Sequence, residues 1–545
     1  MQLFLAFLVA LFLTAALIPV LARWGPRLGL TDRPGPRKVH STPVPRVGGI
    51  AMALGILVPA LLILQVSSPL RGLLLGMLVL LVVGVWDDRV ELGYRAKLVG
   101  QILAVALCIG LGGVHIESFT LGDRFVLGQG ISWILTFVFL LGVTNAVNLS
   151  DGLDGLAAGM ALLCFCAMAL LGAASANGAV VTLALIEAGA ILGFLRFNTH
   201  PARVFMGDSG SQVLGFTIGV LAIHVTQGES STVSAALPLF LVGMPIIDTL
   251  AVMVQRLREG RSPFAGDRNH LHHRLLALGM SHGEAVATLY LLQVTLFLLG
   301  YFLRFESDVA ICLLFAVFSG AVLGMLRWAD RTGWRAHPDT QPRRTLTLIR
   351  GLKEPLRRLP AWSLGTMGVG LFAYGLTVVA ESRHVGGDVA LLCLALLALL
   401  FIAGASPKLR PAQWLERAAA YVSVVLIVYL DQTAPQKAWL LSHLTWSLLA
   451  ITAVAALVRL WLSTQRRFQV TTLDVLVIFV ALVIPNLPGF IELPGELAAG
   501  LTKAVLLVYV IEMLLSLDLK RPLPRAGLML MLGLVAVRGL VAFSV

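Results

Sequence analysis

The sequence predicts an all-α polytopic integral membrane protein of about 18 transmembrane helices with its N-terminus outside. Three observations carry that reading. Of the 545 residues, 58% are hydrophobic and only 13% charged, where soluble chains run about 45–50% and about 25%. Mean hydropathy is +0.89, and apolar runs of roughly 20 residues, enough to cross a hydrocarbon core as a helix, recur along the whole chain. Lys and Arg gather in alternate loops. A soluble globule, a disordered chain and a disulfide-stapled secreted module are all excluded.

Taken in order, the runs lie near 2–22, 47–66, 70–86, 97–113, 131–148, 156–173, 178–196, 210–226, 233–255, 285–303 and 308–327. These form an 11-helix core. About seven more follow near 364–380, 389–404, 418–430, 439–458, 472–491, 497–517 and 526–543; that at 418–430 is short enough to be interfacial. The first run resembles a signal peptide but lacks basic residues before it, and Arg23 and Arg27 follow it. It reads as an uncleaved span.

With the N-terminus outside, loops after odd-numbered spans face the cytoplasm. Every Lys and Arg falls at such a loop except Arg71, Arg124, Arg304, Arg383 and Lys437, and Lys503 and Arg538 inside spans. The net charge of +12 is therefore topological, and no nucleic-acid partner is expected. Residues 1–330 form one unit, 331–363 a basic cytoplasmic linker and 364–545 a second unit of unknown role. The halves show no repeat, which removes support for an inverted-repeat transporter. Cys108, Cys164, Cys166, Cys312 and Cys393 all lie in apolar runs without zinc or disulfide spacing.

Five constellations carry chemistry, all on the predicted cytoplasmic side. The loop after the first span has Asp32, Arg37, Lys38 and His40, then Gly48-Gly49: cations for phosphate and glycines for a close approach. Asp87-Asp88 closes the third span, with Arg95 and Lys97 following; paired carboxylates can ligate a hard cation or accept a proton. Asn145, Asn148, Asp151 and Asp154 recur every three residues, with Gly152 and Gly155 each following a carboxylate, and suit a base edge or ribose. Asn198 precedes Phe205-Met-Gly-Asp208-Ser-Gly-Ser211, a carboxylate between glycines before a helix, fit for a metal beside phosphate-binding N–H groups or for a plain helix cap. Last comes Arg261 to His273, with Arg268, His270, His272 and His273: a poor zinc site and a good one for a sugar-linked diphosphate. Within spans, Glu187, Asp248, Lys503 and Glu512 need partners or water. The site as a whole reads as one for a nucleotide or diphosphate at a membrane face, with a lipid-borne second reactant.

The segments DDRVELGYRAK, NAVNLSDGLDGLAAG, FMGDSGSQVLGF and RSPFAGDRNHLHHRLLALG resemble, in order and spacing over about residues 1–330, the polyprenyl-phosphate N-acetylhexosamine-1-phosphate transferases. The last segment is more similar to the branch that makes undecaprenyl-diphosphate-N-acetylglucosamine than to peptidoglycan translocase I, because Leu271 interrupts the histidines. Glu91 stands where many members have Asp. The resemblance implies transfer of an N-acetylhexosamine 1-phosphate, GlcNAc foremost, from a UDP-sugar to undecaprenyl phosphate at the cytoplasmic face of the inner membrane. UMP is released and a lipid-linked surface glycan begun. It implies Asp87, Asp88 and Asp208 as catalytic, with Mg²⁺ (or Mn²⁺) on Asp208 and Asp88. Asp87, Lys97 and Lys38 would hold the polyprenyl phosphate. Asn148, Asp151, Asp154, Asn198, Phe205, Arg268, His270, His272 and His273 would hold the nucleotide sugar. A homodimer is a candidate assembly. UDP-GalNAc, a modified hexosamine or UDP-MurNAc-pentapeptide are alternative donors, direct attack is favoured over a phospho-Asp intermediate, and a transporter or an inactive scaffold are the readings of other classes.

Overall fold

A computed structural model describes residues 2–33, 43–121, 123–227, 233–262, 269–336, 353–382, 385–405, 410–433, 439–462, 476, 479, 495–517 and 523–543. By contacts the chain forms two compact units, Met1–Asp339 with Thr471–Leu476, and Thr340–Val470 with Val477–Val545. Among the described residues, 10 helices are long and apolar enough to cross a membrane, which makes the chain a multi-pass membrane protein. The span expected near 472–491 lies outside the described residues except at 476 and 479, as do Arg37, Lys38, His40 and Arg268.

In the first unit, helix α1 (Gln2–Leu28) leads to a short hairpin, β1 (Thr31–Asp32) and β2 (Val44–Pro45). There follow α2 (Gly48–Ile63), α3 (Ser68–Val90) and α4 (Tyr94–Gly112). A second hairpin, β3 (Ser118–Leu121) with β4 (Asp123–Val126), precedes α5 (Gln129–Leu149), α6 (Leu156–Ala174), α7 (Gly178–Asn198) and α8 (Gly207–Thr226). The two central helices α6 and α8 are 89% and 94% buried over their apolar windows, against 22% for α1. The bundle is thus built around α6 and α8, and the most hydrophobic-looking first span is peripheral. Close approach there depends on glycine: a Cβ at Gly84 of α3 would meet Ser209 Cα at 2.4 Å, and one at Gly49 of α2 would meet Gly210 N at 2.3 Å.

The ninth expected span, 233–255, is broken into α9 (Pro238–Leu241) and α10 (Gly243–Arg258). Pro238, Gly243 and Pro245 weaken helical continuity there. The interruption frees backbone groups in an apolar setting, where each needs a partner. Gln293 of α12 (His282–Phe302) supplies them: its amide donates to Phe240 O (3.1 Å) and Leu241 O (2.8 Å), and its carbonyl accepts from Met244 N–H (3.1 Å). Between α10 and α12 sits the short helix α11 (Leu271–Ala277), and α13 (Asp308–Thr332) follows α12.

The second unit contains helices Lys353–Glu381, Gly387–Ala405, Arg410–Thr433, Trp439–Leu462, Gly495–Leu517 and Leu523–Phe543. The run at 418–430 belongs to a 24-residue helix, longer than its apolar core because the amphipathic segment before it is also helical. The intramembrane charges Lys503, Glu512 and Arg538 of this unit have partners, whereas both carboxylate oxygens of buried Glu187 in α7 lack a hydrogen-bond partner among the described residues. Lys503 Nζ lies 2.6 Å from Asp431 Oδ2, both buried, and 4.7 Å from the centre of the Trp446 ring. Tyr421 donates to Glu512. Arg538 donates to the carbonyls of Val379, Ala380 and Ser382 at the end of Lys353–Glu381, where helix carbonyls lack intrahelical partners.

Candidate active site

A cavity of about 750 Å³ opens at one end of the first unit. Its lining combines Asp87 and Asp88 from the last turn of α3, Lys97 from the first turn of α4, and Asn148, Asp151 and Asp154 from the end of α5 and its turn. Asn198 comes from the end of α7, Phe205 from the α7–α8 connection, Asp208 from the first turn of α8, and His273 from α11. Ten of the expected site residues therefore meet around one space. Arg46 and His200, which sequence reasoning left without a role, line it as well.

At its centre Lys97 Nζ stands 2.7 Å from Asp87 Oδ2 and 2.6 Å from Asp208 Oδ2. The ammonium thus bridges two carboxylates from α3 and α8. The other Asp87 oxygen, Oδ1, is buried and has no hydrogen-bond partner among the described residues. Asn148 donates to Ser211 Oγ (2.7 Å) and Asp208 Oδ1 (3.3 Å), which ties it to Asp208 rather than leaving its amide turned to a base. Behind it, Asn145 and Gln101 exchange amide hydrogen bonds at 2.8 and 3.2 Å, and Gln101 also donates to Gln212 (3.2 Å). This relay locks α4, α5 and α8 together beneath the site.

Asp88 has a different part from its neighbour. Its Oδ1 accepts from Asp208 N–H (2.9 Å), and its Oδ2 accepts from Ser209 N–H (3.1 Å) and Ser209 Oγ (2.7 Å). The first N–H groups of a helix have no intrahelical partner and carry partial positive charge, so Asp88 caps α8 from another helix. Both of its oxygens are engaged, unlike those of Asp87. Gly207 enters α8 at φ 69, and a Cβ there would meet Asp88 Oδ1 and Oδ2 at 2.4 Å; the position requires glycine for both reasons.

The preceding strand-like segment is tied on by backbone bonds: Phe205 N–H to Pro45 O, Gly48 N–H to Phe205 O and Gly49 N–H to Met206 O, each at 2.9 Å. This is the close approach for which the Gly48-Gly49 pair is needed. Arg46 pairs with Asp32 at 2.6 Å.

The turn after α5 is held from two sides. Gly155, at φ 80, donates its N–H to Asn198 Oδ1 (2.9 Å), and its carbonyl accepts from Tyr290 Oη (2.6 Å). Asn198 also donates to Val204 O at 2.9 Å, so both ends of its buried amide are used in shaping the pocket. Asp154 Oδ2 accepts from Ala202 N–H (3.0 Å) and lies 2.7 Å from His200 Nδ1. Asp151 faces the open cavity. Desolvation, then the charges of Asp208, Asp88 and Asp154, push its carboxyl up to about 7.

The histidines separate. His273 lines the cavity. His270 is buried, with Nδ1 3.0 Å from Asp248 Oδ2, while Asp248 Oδ1 accepts from Leu271 N–H at 2.7 Å. Asp248 thus anchors the histidine segment to α10. His272 is buried against Gly152, where a Cβ would meet Nε2 at 2.2 Å. Burial, then His273, push its imidazole down to about 3, so it packs as a neutral ring and brings no cation to a diphosphate. The residues missed from sequence had faint signals: Ser209 sits inside a motif singled out for Asp208, and Gln293 is a lone amide in an apolar span.

The glycosyl transferase family 4 profile matches residues 70–226, the stretch from α3 to the end of α8. A Bacillus subtilis protein named "probable undecaprenyl-phosphate N-acetylglucosaminyl 1-phosphate transferase" is 34% identical over 291 residues, 53% of this chain and 81% of the relative. A Mycobacterium tuberculosis decaprenyl-phosphate N-acetylglucosaminephosphotransferase is 36% identical over 317 residues, 51% of this chain and 78% of the relative. An undecaprenyl-phosphate alpha-N-acetylglucosaminyl 1-phosphate transferase of Escherichia coli O157:H7 is 29% identical over 337 residues, 60% of this chain and 91% of the relative.

Proposed function

Because this chain belongs to the family of polyprenyl-phosphate N-acetylhexosamine-1-phosphate transferases, we propose that it transfers GlcNAc 1-phosphate from UDP-GlcNAc to a polyprenyl phosphate at the cytoplasmic face of the inner membrane. UMP leaves, and a lipid-linked diphospho-sugar remains to start a surface glycan. The observation that carries the site assignment is the Lys97 bridge between Asp87 and Asp208 on the wall of the cavity. The sidedness rests on the bias of Lys and Arg toward the loops on the cavity side.

The chemistry asks for charge management. A phosphate monoester has its second pKa near ~6 and is largely dianionic at neutral pH, so its oxygen needs little deprotonation before attack. The P–O bond to the sugar-bearing phosphorus forms as the bond to the UMP phosphate breaks, and the departing electron pair stays on UMP. The barrier is dominated by repulsion between anions, and positioned cations lower it. Lys97, held between two carboxylates, is poised to neutralise incoming phosphate oxygens, and Asp87 orients the acceptor phosphate or takes its residual proton.

The residues also fit a hard divalent cation, for which carboxylate oxygens are the preferred donors. Asp208 and the unpartnered Asp87 Oδ1 would hold Mg²⁺ or Mn²⁺, and the ion would supply charge neutralisation at the diphosphate. Asp88, expected beside Asp208 as a ligand, is instead assigned to positioning, since both its oxygens already cap α8. Asp151, Phe205 and His273 are assigned to the nucleotide sugar, and Asp154, expected with them, to the rim of the cavity, where His200 and Ala202 N–H already hold its Oδ2. Asn148, Asn198, His270 and His272 shape the site behind them. The C-terminal unit is proposed to have no second active site.

The test is UMP release by the purified protein with undecaprenyl phosphate, Mg²⁺ and, separately, UDP-GlcNAc, UDP-GalNAc or UDP-MurNAc-pentapeptide. Lipid- and metal-dependent release with UDP-GlcNAc, falling by about 10²–10³ in Asp208→Asn, is expected. Release with another donor only would move the substrate assignment, and none from a folded protein would overturn the reading.

A further inference from the structure

We propose that Asp154, His200 and His282 form a second metal site, of the kind that takes Zn²⁺, on the rim of the active-site cavity. It uses nitrogen donors that the carboxylate centre at Asp208 lacks. Asp154 comes from the α5–α6 turn, His200 from the α7–α8 connection and His282 from the first residue of α12. One ligand atom from each lies within 4.8 Å of the others. His200 Nδ1 is 2.7 Å from Asp154 Oδ2, and the two imidazoles stack at 4.0 Å between centres, 19° from parallel.

Ordinary packing leaves one feature of this cluster without a reason. Both ring nitrogens of His282 are buried and have no hydrogen-bond partner among the described residues. A neutral imidazole offers one donor and one acceptor, and buried polar atoms of this kind are normally satisfied. A partner that accepts the lone pair of one nitrogen removes half of that deficit, and a metal ion does so. Two imidazoles and one carboxylate are the donor set of open zinc sites, in which a fourth position remains for water or ligand. Tetrahedral bonds of about 2.0–2.1 Å put donor atoms roughly 3.3 Å apart. His200 Nδ1 and Asp154 Oδ2, now 2.7 Å apart, must therefore open slightly to admit an ion, with the histidine rings turning out of their stack. That movement is open to His200, whose side chain is 50% exposed. The backbone is already braced for it: Ala202 N–H holds Asp154 Oδ2 at 3.0 Å, and the Ser281–Glu284 capping box fixes the start of α12. Three separate chain segments thus meet at one point, and a bound ion would fasten the α7–α8 connection to α12.

The experiment uses the full-length protein in detergent, stripped with a chelator and then titrated with Zn²⁺ alone. Bound metal is counted by mass spectrometry, and Co²⁺ replaces Zn²⁺ for visible spectroscopy. The expected result is one tightly held Zn²⁺ per chain and the visible bands of a low-coordinate Co²⁺ site. Both should be lost in His282→Ala and in His200→Ala, whose helical circular dichroism stays that of the parent. His200→Ala is the safeguard against misfolding, since it truncates a half-exposed side chain. No stoichiometric uptake by the parent, or uptake that survives both substitutions, overturns the proposal. Neither readout depends on UMP release, so failure here leaves the assignment of the reaction where it stands.

Discussion

Lys97 is the residue whose chemistry has most to answer for. It holds two carboxylates that would otherwise repel each other and any phosphate between them. Lys97→Gln keeps a side chain of similar length without the charge. UMP release should fall by about 10²-fold, the usual loss when one preorganised charge-stabilising group is removed, and the melting temperature should drop as well, because the Asp87 and Asp208 carboxylates lose the cation between them. Steady-state rates beside a thermal scan check this. The Asp151 carboxyl is raised to about 7 by desolvation and then by the surrounding acids. A raised acid pKa means the neutral form persists through mildly acidic pH, and a negative charge appears in the cavity as pH passes through about 7. That charge opposes an anionic donor. The KM for the UDP-sugar is therefore expected to rise between pH 6 and 8, and Asp151→Asn to flatten the rise. An equal slope in both proteins would count against it. The sign for stability is the same: the native state retains the Asp151 proton longer than the unfolded chain does, so this group's contribution declines as pH rises from the ordinary carboxylate range to about 7.

At the scale of elements, the site depends on how α3 meets α8. Asp88 closes the N-terminus of α8 from across the interface, and Gly207 leaves room for it. Gly207→Ala forces a Cβ into the left-handed region, at roughly 1–2 kcal/mol, and drives it against the Asp88 carboxylate. Both melting temperature and UMP release should drop. Gly93→Ala is the matched control, because a Cβ there meets nothing within 4 Å, and it should behave as the parent. The same logic explains the interrupted ninth span. Its freed backbone groups survive in an apolar bundle because Gln293 reaches across from α12 to satisfy three of them, and the break lets Asp248 carry the histidine segment.

For the whole molecule, the two units hold their polar groups in different places. The first gathers acids at one end of its bundle around the cavity, whereas the second encloses the ion pair Lys503–Asp431, with side chains only 4% and 0% exposed. Breaking a buried pair leaves one charge unpaired and typically costs about 3–5 kcal/mol, whereas replacing both partners with apolar residues is often neutral. Lys503→Met should thus destabilise the second unit sharply, and Lys503→Met with Asp431→Leu should restore it, as read by thermal unfolding in detergent. A double variant no better than the single would mean that the pair does more than neutralise itself. UMP release under conditions where the second unit remains folded should be the same in all three proteins, since the pair lies outside the residues assigned to the reaction.

The membrane class, most of the spans and the identity of the cavity's acids were legible in the amino-acid order alone. Helix length against bilayer thickness and the expense of intramembrane charge are local constraints, written residue by residue. Asp87, Asp151, Asp154 and Asp208 stood out because apolar spans end on them without any need for packing. What could not be read were the partners. Asp87 and Asp88 are adjacent and chemically identical, yet one keeps an oxygen unpartnered beside Lys97 while the other caps a helix 120 residues onward. Three clustered histidines looked like one cationic set, but burial makes His272 neutral and Asp248 takes His270, leaving His273 at the cavity. Sequence therefore determined which groups carry charge and at which end of the helices they lie. Only tertiary structure decided which of them remain available, because availability is set by hydrogen bonds and burial contributed by segments far away in the chain.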